Sequence, residues 1–460
     1  MKLALGYKSI KRRRHPSDTR LIHLLAKASG RRSAYWAFKD NPADNYERPF
    51  YQYPAMMVPR LQREILNAII KIKGRPQIIC DPFMGSGTVL AQAMLAGCHF
   101  AGQDLNPLSL LLCQVRAECL NPEVLDTAAN DVLLAAIGAE GHKNEAPIFF
   151  NKDKWFTPSA IDGLTRIRTQ IQKEHNQSTR RFLWACLAET VRVNSNSRTS
   201  TFKLHIRPEE ERTATAESVF ATFAKVTEVN CKRVSLFVKQ LQRKGYLTKT
   251  NKYFRNIILK FGNSANSIPD ELGQYHVVMT SPPYGDNRTT VPYGQAAWLP
   301  LQWLDCSDIA GNINASFVES YYGIDNASLG GANQLPKKER HEALEAASTA
   351  FKKTFDLLKA KPGDALKRFA SFTADLEKVL SLIALQCAPG AHVVFTLGNR
   401  RTQGVEHPLA DLVKEFLQAK GMTTAWMLDR DILSKRMPSK NDTSTTIRKE
   451  TLLIFRAGQT

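Results

Sequence analysis

No Cys-x-x-Cys pair occurs in this sequence of 460 residues, and its eight cysteines (80, 98, 113, 119, 186, 231, 306 and 387) are scattered singly. That spacing argues against a zinc site and a disulfide framework; it fits reduced thiols in a cytosolic protein. Long apolar runs are also missing, so no segment is expected to span a bilayer. The N-terminus is basic but has neither the apolar core nor the cleavage site of a secretory signal. Acidic residues are scarce where the chain starts: residues 1–39 hold 11 Lys/Arg against one acidic side chain. Over the whole chain the net charge is +20, which favours a polyanionic partner, nucleic acid before an anionic membrane. A composition that is 43% hydrophobic and 23% charged can bury a sizeable core. The length predicts one large α/β domain with additions.

Two stretches carry chemistry. In the first, Gln77-Ile78-Ile79-Cys80 reads as a buried strand and Asp81-Pro82-Phe83-Met84-Gly85-Ser86-Gly87-Thr88 as a tight turn. Val89 to Gly97 then reads as a helix with a glycine cap, and His99-Phe100-Ala101-Gly102-Gln103 as a second strand that ends at Asp104. This is a strand–turn–helix–strand unit of a doubly wound sheet, with a ligand expected at the carboxyl ends of the strands. Glycines at 85 and 87 let the backbone approach that ligand. Position 90 is Leu, which leaves the dinucleotide fingerprint incomplete, and no Lys follows the glycines, so the turn is not a phosphate-cradling P-loop. Asp81 would welcome a cationic group, and Asp104 is placed to accept from two ribose hydroxyls. A nucleoside bearing a positive charge and an ammonium group fits, and S-adenosylmethionine is such a molecule. The plainer reading is that Asp81, Pro82 and the glycines only shape a turn.

The second stretch is Thr280-Ser281-Pro282-Pro283-Tyr284, after the apolar run His276-Val277-Val278-Met279. Two consecutive prolines hold the backbone stiff and extended, and neither can donate, so nearby carbonyls stay free to accept. Ser281 adds an acceptor and Tyr284 a flat ring. Acceptors beside a ring suit a planar base with an amino group.

Together, the Asp81–Thr88 loop and the Thr280–Tyr284 motif resemble the S-adenosylmethionine-dependent amino-methyltransferases of DNA. The Ser-Pro-Pro-Tyr form is similar to the branch that makes N4-methylcytosine. The resemblance covers segments 50–118 and 255–457. It implies an α/β class I methyltransferase (Rossmann-like) fold, with a seven-stranded, mainly parallel sheet whose last strand is antiparallel. It also implies S-adenosylmethionine as cofactor, held by Asp81, Pro82, Phe83, Gly85, Gly87, Thr88, Asp104 and Asn263. At Gly262-Asn263-Ser264 the family usually has Gly-Asp; the Asn amide oxygen can still accept from an adenine amine. Catalysis falls to Ser281, Pro282, Pro283 and Tyr284. Ser281 and the Pro282 carbonyl would accept the two amine hydrogens, and Tyr284 would stack on the base. No Pro-Cys pair exists, so a covalent cysteine adduct is not implied. The target atom lies inside duplex DNA, so the base is expected to flip out. No metal is expected.

The domain reading is a basic arm at 1–45, a catalytic domain at 46–118 and 251–460, and a helical insertion at 119–250 that suits target recognition, with a purely structural lid as the competing reading. Arg12, Arg13 and Arg14 in the arm, with Tyr35, Trp36 and Phe38 close by, can follow phosphates and stack on bases, or form a solvated tail. Arg288, Lys435 and Arg436 fall in loops read as substrate-side. The polar run from Asn194 to Thr201, with Lys203, His205 and Arg207 after it, reads either as a phosphate contact or as a solvated connection. Residues 307–336 read as a second surface loop, and Ser218 to Leu247 as two amphipathic patterns. The expected partners are double-stranded DNA and a cognate restriction endonuclease acting on the same site, in a cytoplasmic, nucleoid-associated protein. Three rivals stay open: the same enzyme acting on adenine, an RNA guanine amino-methyltransferase, and a catalytically dead nucleic-acid binder.

Overall fold

Ile79 and Cys80 are neighbours in sequence yet serve opposite cores, because successive side chains of a strand point to opposite faces. Phe100 and Ala101, Val277 and Val278, and Ile454 and Phe455 divide in the same way. A sheet apolar on both faces must be covered on both, and helices do so here. The computed structural model describes residues 15–30, 35–38, 44–75, 77–139, 146–287, 290–431 and 449–458. Its strands are β1 (Ile78–Asp81), β2 (His99–Asp104), β3 (Ile257–Phe261), β4 (Tyr275–Thr280), β5 (Cys387–Leu397), β6 (Arg400–Thr402), β7 (Val405–His407), β8 (Thr423–Asp431) and β9 (Lys449–Arg456). Seven of them form one sheet in the order β3-β2-β1-β4-β5-β9-β8, and β6 and β7 make a separate hairpin.

The pairs β1–β2, β2–β3, β1–β4 and β4–β5 are parallel. β9 runs antiparallel between β5 and β8. This is the class I methyltransferase sheet, antiparallel closing strand included. Strand order reverses between β1 and β4, so the crevice at their carboxyl ends is where such a sheet takes a ligand.

Helices Pro59–Lys73, Thr88–Leu95 and Pro107–Ala117 bury their apolar residues in one core. Helices Thr349–Lys359, Ala365–Gln386 and Leu409–Ala419 bury theirs in the other. The interruption between β2 and β3 is helical, as expected. However, the two patterns read across Ser218 to Leu247 join: Ala216–Arg243 is one helix of 28 residues, with no Gly or Pro inside to break it.

Near the N-terminus, the expected basic arm contains packed structure. Helix Pro16–Ser29 buries Leu21 and Leu25, and Asp18 pairs with Arg456 of β9 at 3.0 Å. Trp36 is buried with its ring 5.6 Å from that of Trp426, so this side chain belongs to the core and not to a base-stacking tail. Arg12, Arg13, Arg14, Arg288, Lys435 and Arg436 all lie outside the described residues. Segment 307–336 is more than surface loop. It carries short helices at Ala315–Glu319 and Gly323–Ala327, with Ile324 and Leu329 buried. Among the described residues no helix is long and apolar enough to cross a membrane.

Asp308 ties the helices between β2 and β3 to the segment that follows β4. Its carboxylate accepts from Arg180 Nε and Nη2 at 2.8 and 2.7 Å and from Trp184 Nε1 at 2.8 Å. Removing it strands a fully buried indole N–H and leaves the Arg180 guanidinium only its bonds to the Glu174 and His175 carbonyls. We expect Asp308→Ala to lower the unfolding free energy by about 2–3 kcal/mol, measured by urea titration. An unchanged midpoint would mean that the insertion is held by its apolar contacts alone.

Candidate functional site

The turn after β1 is built on two glycines. Gly85 has φ +47° and Gly87 has φ +78°, in the left-handed region that side chains disfavour. A Cβ at Gly87 would also come within 3.0 Å of Cys113 Sγ. Asp104, at the end of β2, fastens the turn from outside. Its carboxylate accepts from the Gly85 N–H at 2.8 Å and from the Asn106 N–H at 2.8 Å. Ser109 and the Leu105 N–H also hydrogen-bond to it, and the residue lines a cleft of about 800 Å³. Burial pushes its carboxyl above the usual range.

The cleft lies at the carboxyl ends of β1 to β4. Pro82, Phe83, Gly85 and Thr88 line it from the turn, and Asn263 from the end of β3. Ser281 and Pro283 line it from the end of β4. Of the residues expected to hold cofactor or base, then, eight meet in one cavity. Four do not line it: Asp81, Gly87, Pro282 and Tyr284.

Asp81 lies beneath the turn, with no exposed surface. One carboxylate oxygen accepts from Thr280 Oγ1 at 2.6 Å and from the Phe83 N–H at 3.1 Å. The other has no hydrogen-bond partner. Desolvation raises its pKa to about 7. Asp81 therefore joins the glycine turn to the residue just before Ser281.

Asn263 is already engaged at both ends of its amide. Its oxygen accepts from the Ala265 N–H at 2.9 Å, and its nitrogen donates to the Ala327 carbonyl at 2.7 Å. One acceptor lone pair is left for a ligand.

At the end of β4, Ser281 Oγ donates to the Thr396 carbonyl at 3.0 Å. Its proton is thereby placed, and its lone pairs are left to accept. The Tyr284 hydroxyl donates to Glu450 Oε1 at 3.2 Å and sits 3.3 Å from Ser281 Oγ. Glu450 in turn takes two bonds from Arg430, at 2.6 and 2.9 Å. Burial and the Glu450 carboxylate push the Tyr284 phenol up, so it stays protonated. Beyond the motif, Asp286 is buried between Arg400 at 3.0 Å and Arg368 at 3.2 Å, which pins the chain leaving Gly285.

Several cleft residues had no signal in the reading above. Tyr53 and Tyr293, with ring centroids 5.9 Å apart, form one wall. Asn106 caps helix Pro107–Ala117 through Leu108 N–H and donates to the Tyr53 hydroxyl at 3.4 Å. Ile324 and Leu329 come from the segment read as surface loop. Tyr53 belongs to an aromatic–proline run from Tyr46 to Pro54, and nothing local aims that run at the cleft. Among the described residues no cluster of His, Cys, Asp and Glu could hold a metal.

The chain is 29% identical over 441 residues to the type II methyltransferase M.MvaI of Kocuria varians, covering 94% of each chain. It is 31% identical over 83 residues to the type II methyltransferase M.MjaII of Methanocaldococcus jannaschii, which is 18% of this chain and 15% of that one. An rRNA methyltransferase, aviRa of Streptomyces viridochromogenes, aligns at 12% identity over 94% of this chain and 96% of that one, with a TM-score of 0.30; that likeness carries no argument. No protein-family model matches. The resemblance to the S-adenosylmethionine-dependent DNA methyltransferases stands, and S-adenosylmethionine is the methyl donor. The cleft suits it: the Asp104 carboxylate at the end of β2 for ribose hydroxyls, glycine backbone for close approach, and apolar side chains for a purine.

Two outcomes test these assignments. Asp104→Ala should weaken cofactor binding at least tenfold by calorimetry, with Asp104→Asn intermediate; unchanged affinity would remove the ribose role. Asp81 has a raised folded pKa, so its contribution to stability is full below about pH 4 and is lost as pH rises through about 7. Asp81→Asn should therefore abolish that part of the decline. The wild-type-minus-variant unfolding free energy should fall across this window, and a flat difference would show that the carboxyl is not so perturbed.

Proposed function

We propose that the chain is a type II DNA methyltransferase that moves a methyl group from S-adenosylmethionine to the exocyclic amine of cytosine in double-stranded DNA, yielding N4-methylcytosine. The observation that carries this reading is the position of Ser281. It lines the same cleft as the glycine turn and Asp104, with its own proton given to Thr396 and its lone pairs left to accept. An amino group offers the donors such a site wants, and a keto group does not.

The cytosine amine is a poor nucleophile, because its lone pair is delocalised into the ring. The bound donor supplies an electrophilic methyl group. The protein has to align the amine with it and favour a pyramidal nitrogen. Ser281 Oγ and the Pro282 carbonyl accept the two amine hydrogens, and the stiff Pro-Pro backbone keeps those acceptors from following the base as it moves. Neither Pro282 nor Tyr284 lines the cofactor cleft, so these two roles rest on the motif: the base would meet the Tyr284 ring beside Ser281, with the Tyr284 hydroxyl held by Glu450. Most of the acceleration then comes from positioning and fixed dipoles. The net charge of +20 suits a polyanionic substrate. The near full-length likeness to a type II methyltransferase supports a role beside a restriction endonuclease of the same site.

The deciding experiment is transfer of labelled methyl to duplex DNA or to total RNA, followed by digestion to nucleosides. N4-methylcytosine from DNA is the expected product; N6-methyladenine, or label only in RNA, would overturn the reading. Tyr284→Ala should cut single-turnover transfer by roughly a hundredfold and leave cofactor affinity within about twofold of wild type. Loss of both would mark the ring as structural.

A further inference from the structure

Between helices Gln177–Asn194 and Ala216–Arg243 the chain makes an excursion whose sequence fits either a phosphate contact or a solvated connection. It is a narrow tongue. Ser197 and Ile206 form an antiparallel bridge, Arg198 N–H donates to the His205 carbonyl at 2.8 Å, and Arg207 N–H to the Asn196 carbonyl at 2.8 Å. Its base is anchored through Asn196, whose N–H donates to the Trp155 carbonyl at 2.7 Å and whose amide donates to that of Lys154 at 3.0 Å. The polar side chains therefore fall into two groups. Ser195, Asn196 and Ser197 are buried and build the tongue. Arg198, Thr199, Ser200 and Lys203 at the tip are exposed.

The tongue leans on helix Tyr293–Trp303, where Leu204 N–H donates to Gln295 Oε1 at 3.2 Å. A groove of about 430 Å³ lies between them, with Arg198, Thr199 and Lys203 among its lining and Phe202, Leu299 and Pro300 as apolar floor. It adjoins the cofactor cleft, because the same helix begins with Tyr293, which lines that cleft. Tyr51 lines the groove and donates to the Ala296 carbonyl at 2.7 Å, two residues before Tyr53 of the cleft. The local cations are not all available. Arg192 is paired with Glu189 at 2.7 Å, and Arg207 Nε is given to the Ser197 carbonyl at 3.0 Å. Arg198 and Lys203 make no ion pair among the described residues.

We propose that this groove holds the sugar–phosphate backbone of DNA next to the flipped base. Arg198 and Lys203 neutralise two phosphates, the hydroxyls of Thr199 and Thr201 donate to their oxygens, and the apolar floor takes the deoxyribose between them. Two uncompensated cations with hydroxyls beside an active cleft form an anion site, and the apolar floor favours a polynucleotide backbone over free phosphate. The proposal rests on DNA being the substrate.

The test is the salt dependence of binding by the full chain, wild type against the double variant Arg198→Ala/Lys203→Ala. Two duplexes are used, one methylated by the wild type and one unrelated. Loss of two phosphate contacts should reduce the slope of log K against log salt by about 1.8, equally on both duplexes. The affinity gap between variant and wild type should then narrow roughly tenfold from 50 to 200 mM salt. Arg198→Lys/Lys203→Arg should restore the slope, and cofactor affinity should not move. An unchanged slope, or a loss seen only on the methylated duplex, would overturn the groove as a backbone site while the DNA reading stands. A wild type that binds no duplex would bring down both.

Discussion

The hydrogen bond from Thr280 to Asp81 is the constraint on which the cleft depends. It crosses from the end of β4 to the end of β1, the adjacent strands where the order of the sheet reverses. One carboxylate thereby holds both functional segments, the glycine turn through the Phe83 N–H and the Ser-Pro-Pro-Tyr motif through Thr280. The bond is buried, so water does not compete for it. The cost appears in the second carboxylate oxygen, which is buried without a partner and raises the pKa of the group. A residue kept in so costly a position suits a site that must hold two segments in fixed relation.

The same economy of polar groups runs outward from the cleft. Asp104 is held by the Gly85 N–H of the turn and by the Asn106 N–H, and it lines the cavity. Ser281 gives its proton to Thr396 and is left an acceptor. Tyr284 is steadied through Glu450 by Arg430, whose Nη1 also donates to the Trp36 carbonyl at 3.1 Å, so the segment before helix Pro59–Lys73 bears on the motif from behind. In each case a group that would touch a ligand has its orientation set by a partner that does not. Pre-organisation of this kind is what lets fixed dipoles act without reorganising during a reaction.

Residues close in sequence were legible, and residues brought together from afar were not. The strand–turn–helix over 78–97 follows from an apolar run, two glycines and a capping glycine, all local signals. The Ser-Pro-Pro-Tyr motif declares a stiff strand end for the same reason. By contrast, Tyr53, Tyr293, Ile324 and Leu329 enter the cleft from three separated segments, and no local pattern points them inward. Trp36 looked like an arm aromatic because its partner, Trp426, is far along the chain. The two amphipathic patterns after Ser218 joined into one helix because a shift of apolar face does not by itself break the backbone.

By itself, the sequence determined the local character of the protein: a strand–turn–helix–strand unit with a glycine turn, a stiff acceptor-bearing strand end, and an excess of positive charge. These depend on residue type and short spacing, which a chain carries before it folds. Tertiary structure alone decided which of those groups face the cleft. Asp81 and Asp104 are both acids ending adjacent strands, yet one lies beneath the turn as a tie and the other lines the cavity. That difference is set by the packing of β4 against β1, a contact between residues about two hundred positions apart, and no local spacing encodes it.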